Sequence, residues 1–132
     1  MKRQYEKYQE EQPYRSKKMK FLCLAYGGED DWKTMTNQEQ SEVLKQDEVL
    51  KNRGDFLATV QTTVITITNW NGNLITENES FAKPKLPLAG FSIIEARNID
   101  EVIQLVANTP CARAKGAIEI RAFWDFNTES RA

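Results

Sequence analysis

Histidine is missing from the chain altogether, although the sequence runs to 132 residues. Imidazole is the usual base beside a nucleophilic serine or cysteine, and it is a common ligand of zinc. The absence therefore excludes Ser-His and Cys-His nucleophile pairs and every metal site that needs a histidine ligand. We expect neither a metal nor a cofactor, and any acid-base chemistry would have to use other side chains.

Cysteine and long apolar runs are scarce as well. Cys23 and Cys111 stand far apart and neither belongs to a CxxC pair, which predicts two free thiols in a reducing cytoplasm. No stretch approaches the ~20 apolar residues of a membrane span. The basic N-terminus is not followed by an apolar stretch, so we expect no secretory signal and a cytoplasmic location without membrane contact.

The net charge of −1 is unevenly distributed along the chain. Residues 1–18 are rich in lysine and arginine, whereas the remainder is mildly acidic and lacks the clustered basic surface of a nucleic-acid-binding domain. The same N-terminal residues show no apolar periodicity, which predicts a disordered or flexible extension. A mobile arm and translation from Met19 are two explanations for it. At the other end, residues 127–132 are expected to form a short tail.

The first strand and the first helix are the best defined elements. Met19–Tyr26 is apolar on both faces, which is typical of a strand in the centre of a sheet. Residues 29–32 are predicted to form a loop. A helix follows, which begins with a capping box at Thr36 or Asn37 and ends at Gly54. One side of this helix carries Val43, Leu44, Asp47 and Leu50.

A β-hairpin is predicted in the middle of the chain. Asn71-Gly72 stands between two runs rich in β-branched residues, 64–68 and 73–76. Asn-Gly suits a type I′ turn because both central residues of that turn have positive φ. A short strand at 55–60 precedes the hairpin.

The second half of the chain repeats the strand-helix-strand order. Residues 77–87 predict a loop and residues 90–96 a strand. Asn98 is expected to cap a helix, with Glu101 as its capping-box partner. The last strand, at 117–123, alternates apolar and charged residues.

The order of these elements predicts an α+β fold. A β-α-β unit, a hairpin and a second β-α-β unit make a ferredoxin-like domain, βαβ(ββ)βαβ, with an antiparallel sheet. Its helices cover one face of the sheet, and no further element is left to cover the other. We therefore expect a homodimer formed through the open sheet face by a twofold axis.

The residues of these elements resemble the YCII-related family, in particular the branch named for its Asp-Gly-Pro-Phe (DGPF) motif. The resemblance rests on the opening MKFLCLAYGGEDDW, the Asn71-Gly72 turn, the run from Phe81 to Phe91, and the closing IDEVIQLVANTPCARAKGAIEIRAF. It implies a domain at residues 19–126, a dimeric α+β barrel, and a cleft between sheet and loops for a small molecule. Some relatives occur with extracytoplasmic-function sigma factors, which leaves a regulatory role open.

The chain departs from the family at the motif itself. Where the branch has Asp-Gly-Pro-Phe, this sequence has Asn78-Glu79-Ser80-Phe81. Asn78 can orient a ligand, but its amide cannot act as a general base near neutral pH. The His-Asp pair suggested for enzymes among YCII relatives is also excluded. These departures favour small-molecule binding with little or no catalysis; an enzyme that uses Glu, Tyr or Lys is the alternative.

Eight residues are candidates for the cleft. Glu119 and Arg121 share one face of the last strand, where they bind a polar ligand or form an ion pair. Arg113 suits a bidentate contact with a carboxylate or phosphate, unless it simply faces solvent. Tyr26 and Trp32 either form the wall of a pocket or cover the edge of the core. The complete set is Tyr26, Trp32, Asn78, Phe81, Lys85, Arg113, Glu119 and Arg121.

Overall fold

The computed structural model describes residues 18–124. In this range the chain forms, in order, β1 (Met19–Tyr26), α1 (Glu29–Lys33), α2 (Asn37–Arg53), β2 (Phe56–Thr59), β3 (Thr66–Trp70), β4 (Asn73–Glu77), β5 (Leu88–Ala96), α3 (Ile99–Val106), α4 (Pro110–Arg113) and β6 (Ala117–Ala122). The tail expected at 127–132 lies outside the described residues, as does all of the expected extension at 1–18 except Lys18.

Four of the strands form one antiparallel sheet in the order β2-β5-β1-β6. β1 lies in the interior of this sheet, which explains why its sequence is apolar on both faces. The strand order and the two strand-helix-strand units confirm the α+β, ferredoxin-like fold.

The core lies on the side of the sheet that α2 and α3 cover, which we call the helix face. Phe21 and Cys23 on β1 and Ile94 on β5 point to this side and are almost fully buried. They pack against helix residues that are equally inaccessible to water: Leu50, Val102 and Val106. Burying one large apolar side chain contributes about 1.5–3 kcal/mol, so this layer holds the helices on the sheet.

α2 begins and ends with the caps that its sequence predicts. Thr36 is the N-cap: its hydroxyl accepts from the Glu39 amide at 3.1 Å, and the Glu39 carboxylate accepts from the Thr36 amide at 2.8 Å. The two hydrogen bonds lower the pKa of Glu39 below its ordinary value. At the other end Gly54 adopts φ 97°, the left-handed conformation that glycine takes without strain.

Two local predictions are wrong. Residues 29–32 are not a loop but part of α1, whose first turn carries three acidic residues that interact favourably with the positive end of the helix dipole. Glu101 does not complete a capping box with Asn98. The Asn98 side chain accepts from the Glu101 amide at 2.9 Å, but the Glu101 carboxylate accepts from the Arg97 amide at 2.7 Å.

β3 and β4 form a separate two-stranded sheet, joined by the predicted Asn71-Gly72 turn. Both turn residues have positive φ, 56° and 79°, as a type I′ turn requires. Trp70 pairs with Asn73, so the turn contains two residues. Every residue of β4 is exposed, and large apolar side chains of the hairpin face solvent.

The side of the sheet away from the helices, the open face, is also apolar. Leu22 and Leu24 of β1 and Phe91 and Ile93 of β5 alternate with the core residues and are only partly buried. Phe56 on the neighbouring β2 packs against Phe91 with ring centroids 5.7 Å apart. No helix within residues 18–124 combines the length and hydropathy needed to cross a membrane.

Candidate functional site

A cavity of about 660 Å³ opens between the helix face of the sheet and the helices α2 and α4. This volume falls within the roughly 300–1,000 Å³ typical of small-molecule sites. Its wall is mostly apolar and is formed chiefly by Ala25, Leu44, Leu50, Leu57, Val106, Cys111 and Ile118.

Small residues at the strand ends leave this space open. Ala25 and Gly90 are paired neighbours on β1 and β5, and Ala114 faces them from the end of α4. Larger apolar residues fill the same layer further along the sheet, at Phe21 and Ile94. The cavity therefore begins where the side chains of the core become short.

Gly27 allows α4 to approach the end of β1. A Cβ atom at this position would lie only 2.9 Å from Cys111 Sγ, closer than real Cβ contacts. The backbone is fixed there as well, because the Gly27 amide donates to the Pro87 carbonyl at 3.0 Å. Because Gly27 has no side chain, Cys111 can pack directly against its backbone at the cavity wall.

Asp47 is the unusual member of the cavity wall. It lies on the same side of α2 as Val43 and Leu50, and its carboxylate is half-buried among apolar groups. Burial raises its pKa above the ordinary value, an effect that the nearby positive charge of Lys51 only partly offsets. In the part of the chain that the structure describes, no hydrogen bond or ion pair satisfies this carboxylate.

The two thiols near the cavity are free and poorly nucleophilic. Burial raises the pKa of Cys23, although a hydrogen bond with Ser92 acts in the opposite direction. Burial and then the negative charge of Asp47 raise the pKa of Cys111. Because the thiolate is the reactive form, neither cysteine is activated at neutral pH. Across residues 18–124 no three acidic or cysteine side chains are grouped to hold a metal ion.

Trp32 is the one predicted site residue that lines the cavity. It belongs to α1, and its carbonyl accepts from the Gln40 side chain at 3.0 Å, which ties α1 to α2. Tyr26 points the other way, because it follows Leu22 and Leu24 on the alternating side of β1.

Glu119 and Arg121 lie on the open face at the edge strand β6. Arg121 Nη2 is 3.6 Å from Glu119 Oε1, and both side chains are more than half exposed. The two residues therefore form an ion pair within one strand. They lie opposite Leu24 and Leu22 of β1, on the side of the sheet that faces away from the cavity.

The remaining four predicted residues are on the surface. Asn78, Phe81 and Lys85 lie in the segment between β4 and β5, and Phe81 is 76% exposed. Arg113 ends α4 and donates to the Asn108 side chain at 3.3 Å. The structure thus separates the eight candidates into three places, and it does not gather them around one cleft.

Sequence reasoning did not single out Asp47 as a site residue, although it noted the residue on the apolar side of α2. The informative feature was the residue type. A carboxylate within an apolar helical stripe needs a hydrogen-bond or ion-pair partner, or it has a functional role. Cys111 and the small residues of the strand ends carried no comparable pattern.

The sequence profile of the YCII-related domain matches residues 19–127 of the chain. No curated protein matches it.

Proposed function

We propose that this chain, which belongs to the YCII-related domain family, binds a small organic molecule in the cavity between its sheet and α2, with little or no catalysis and with a regulatory purpose. The observation that carries the proposal is the cavity of about 660 Å³ itself, apolar over most of its wall with a few polar groups among the lining residues. Such a composition is typical of small-molecule sites, in which apolar contacts supply affinity and few polar groups fix orientation.

The chemistry of the site argues against efficient catalysis. Histidine is absent from the sequence, and burial keeps the thiols Cys23 and Cys111 protonated at neutral pH. The resemblance to the DGPF branch, with Asn78 in place of the motif carboxylate, points in the same direction. A bound molecule would then regulate the protein by binding to it, without being converted to a product.

The alternative is an enzyme that uses Glu, Tyr or Lys for acid-base chemistry on a small organic substrate. One observation favours it: Glu29 and Lys51 are among the residues that line the cavity. Each is already in an exposed ion pair with a neighbour on its own helix, Lys33 at 3.7 Å and Glu48 at 3.8 Å. Such pairs are weak and salt-screened, so both side chains are free to meet a substrate.

A ligand screen by thermal shift tests binding in the cavity. Leu44 lines the cavity and is 48% exposed, so Leu44→Trp should obstruct it and abolish the thermal shift of each hit. Val49 lies on the same helix, is 44% exposed and does not line the cavity. Val49→Trp is therefore the matched control and should retain binding. Hits that bind both variants equally would contradict the proposed site.

Turnover assays on the same hits separate the two functions. If the protein only binds these molecules, each hit should be recovered chemically unchanged after incubation with it. Turnover that disappears in Glu29→Gln or Lys51→Met would establish the enzyme instead. Tyr26→Phe and Glu119→Gln extend the comparison to the acid-base candidates on the open face.

We further propose that the protein is a homodimer in which two open faces pack together. The support is the apolar composition of that face, where Leu22, Leu24, Phe91 and Ile93 are only partly buried. A sheet with one uncovered apolar face needs a second layer, and a twofold axis supplies it with a second copy of the same surface.

A further inference from the structure

The cavity contains a half-buried carboxylate that has no hydrogen-bond or ion-pair partner within residues 18–124. Asp47 lines it from the middle of α2, between the buried residues Val43 and Leu50. A carboxylate moved from water into apolar surroundings loses hydration, and a partner is needed to compensate. Within residues 18–124 the protein supplies neither a hydrogen bond nor an ion pair to Asp47.

Lys51, the positive charge that acts on Asp47, forms no ion pair with it. Lys51 stands one turn further along α2, and its ammonium group lies 3.8 Å from the carboxylate of Glu48. Its side chain is more than half exposed, so it interacts with Asp47 from the rim of the cavity rather than through contact. Inside the cavity, the space next to the Asp47 carboxylate is therefore available to a ligand.

The charge balance of the cavity wall favours the same kind of ligand. Two acidic residues, Glu29 and Asp47, and one basic residue, Lys51, line it. Two other polar groups of the wall have local partners: Thr109 donates to the Val106 carbonyl at 2.6 Å, and Ser92 interacts with Cys23. Asp47 is therefore a charged group with unused hydrogen-bonding capacity in a mostly apolar wall.

We infer that the cavity selects a small molecule with an apolar body and a cationic nitrogen, and that Asp47 pairs with that nitrogen. The apolar wall would bury the body of the ligand, while the ammonium group would form charge-assisted hydrogen bonds with the carboxylate. The inference rests on the proposed binding function and specifies its ligand class.

Three probes of one shape test the selection by isothermal titration at neutral pH: 2-naphthylmethylamine, 2-naphthylmethanol and 2-naphthoate. The amine is expected to bind about tenfold or more tightly than the alcohol, since a charge-assisted hydrogen bond is roughly twice as strong as a neutral one. The carboxylate probe should bind most weakly, because it adds a like charge beside Asp47.

Asp47→Asn keeps the shape of the side chain and removes its charge. In this variant the affinity for the amine should fall about tenfold, to the level of the alcohol, and the affinity for the alcohol should stay the same. Glu42→Gln is the matched control, because it removes one negative charge from an exposed residue of α2 that does not line the cavity and is not the partner of Lys51. It should preserve the preference for the amine.

Alkylation of Cys111 locates the bound probe. Cys111 lines the same cavity, and the negative charge of Asp47 contributes to the raised pKa of its thiol. Bound amine should slow its reaction with iodoacetamide in the wild type and not in Asp47→Asn at the same amine concentration. An unchanged rate in the wild type would place the amine elsewhere and overturn the inference.

The outcomes separate this inference from the function on which it rests. Equal affinity of the wild type for amine and alcohol, or a preference that survives Asp47→Asn, overturns the role of Asp47 but leaves a small-molecule cavity. If none of the three probes binds, the ligand class inferred here is wrong. If a broad thermal-shift screen also yields no hits, the proposed function is wrong too.

Discussion

At the scale of single residues, the two aspartates with raised pKa values present a contrast. Asp47 has no hydrogen-bond or ion-pair partner among the described residues, whereas Asp55 is held by Arg53 and accepts a long hydrogen bond from the Glu95 amide at 3.4 Å. Burial is the first cause of the raised pKa in both. The same substitution should therefore have opposite effects on stability at the two sites.

Replacing Asp47 by asparagine should stabilise the protein without ligand. The substitution removes an uncompensated charge from an apolar wall, and we expect the free energy of unfolding to rise by roughly 0.5–2 kcal/mol, the usual range for a single stabilising substitution. Urea denaturation at neutral pH measures this. An Asp47→Asn protein less stable than the wild type would show that the carboxylate has a structural partner.

The raised pKa of Asp47 also sets the sign of a pH effect. The folded state keeps this proton to higher pH than the unfolded state does, so the contribution of Asp47 to the free energy of unfolding falls as pH rises from its ordinary pKa through the raised one. The Asp47→Asn protein should lack this pH-dependent contribution to the free energy of unfolding. Comparing the two proteins over the same pH range cancels the parallel contribution of Asp55.

Replacing Asp55 by asparagine should destabilise the fold. Its side chain is 6% exposed and its loss leaves the guanidinium of Arg53 without a carboxylate partner. Arg53 also donates to the Glu95 carbonyl at 2.9 Å, so the group links the end of α2 to the end of β5. Losing this partly buried pair should cost about 1–3 kcal/mol, which the same urea titration detects. A neutral effect would mean that water replaces the pair.

At the scale of elements, local sequence patterns predicted most boundaries. Thr36, Gly54 and the Asn71-Gly72 turn act through their own backbone neighbourhood, so their effects are visible in sequence alone. The partner of Glu101 was mispredicted because the Arg97 amide competes with that of Asn98 for the same carboxylate. The spacing of Asn98 and Glu101 in the sequence does not show which of the two backbone amides the carboxylate will accept from.

The β3-β4 hairpin should be dispensable for the fold of the main sheet. It forms its own sheet, and the strands on either side of it, β2 and β5, are already adjacent, since the Val60 amide donates to the Ala89 carbonyl at 2.9 Å. Replacing residues 64–79 by Gly-Ser should preserve cooperative unfolding and change its free energy by less than about 1 kcal/mol, because loop length has a small entropic effect.

Circular dichroism and urea titration check this deletion. A variant with Ala in place of Asn71 and Gly72 is the control, because it disturbs the turn at constant chain length. Loss of cooperative unfolding in the deletion alone would show that the hairpin supports the sheet.

At the scale of the whole molecule, the open face makes the dimer testable. Leu24 lies in the middle of that face, opposite Phe91 and Glu119. Leu24→Lys should weaken association at least about tenfold, since a lysine there would bury a charge without a partner. Multi-angle light scattering at micromolar concentration should find a wild-type dimer and a largely monomeric variant.

Val49→Lys is the control for this experiment. Val49 is apolar and 44% exposed, but it lies on α2 rather than on the open face. The control should remain a dimer. A wild-type protein that is monomeric at micromolar concentration would remove the proposed interface, and a Leu24→Lys dimer would move it to another surface.

By itself, the sequence determined the strands, the helices α2 and α3, the caps of α2, the turn and the ferredoxin-like order, because each depends on residues close together in the chain. It did not determine α1 or the partner of Glu101. The cavity was decided only by tertiary structure. Ala25, Asp47, Gly90 and Cys111 come from four distant elements, and only the packing of α2 and α4 on the sheet brings them together. The packing of the helices on the other side of the sheet likewise left Tyr26 and Glu119 on the open face. Which residues share a site depends on contacts across the sheet, and no local pattern encodes them.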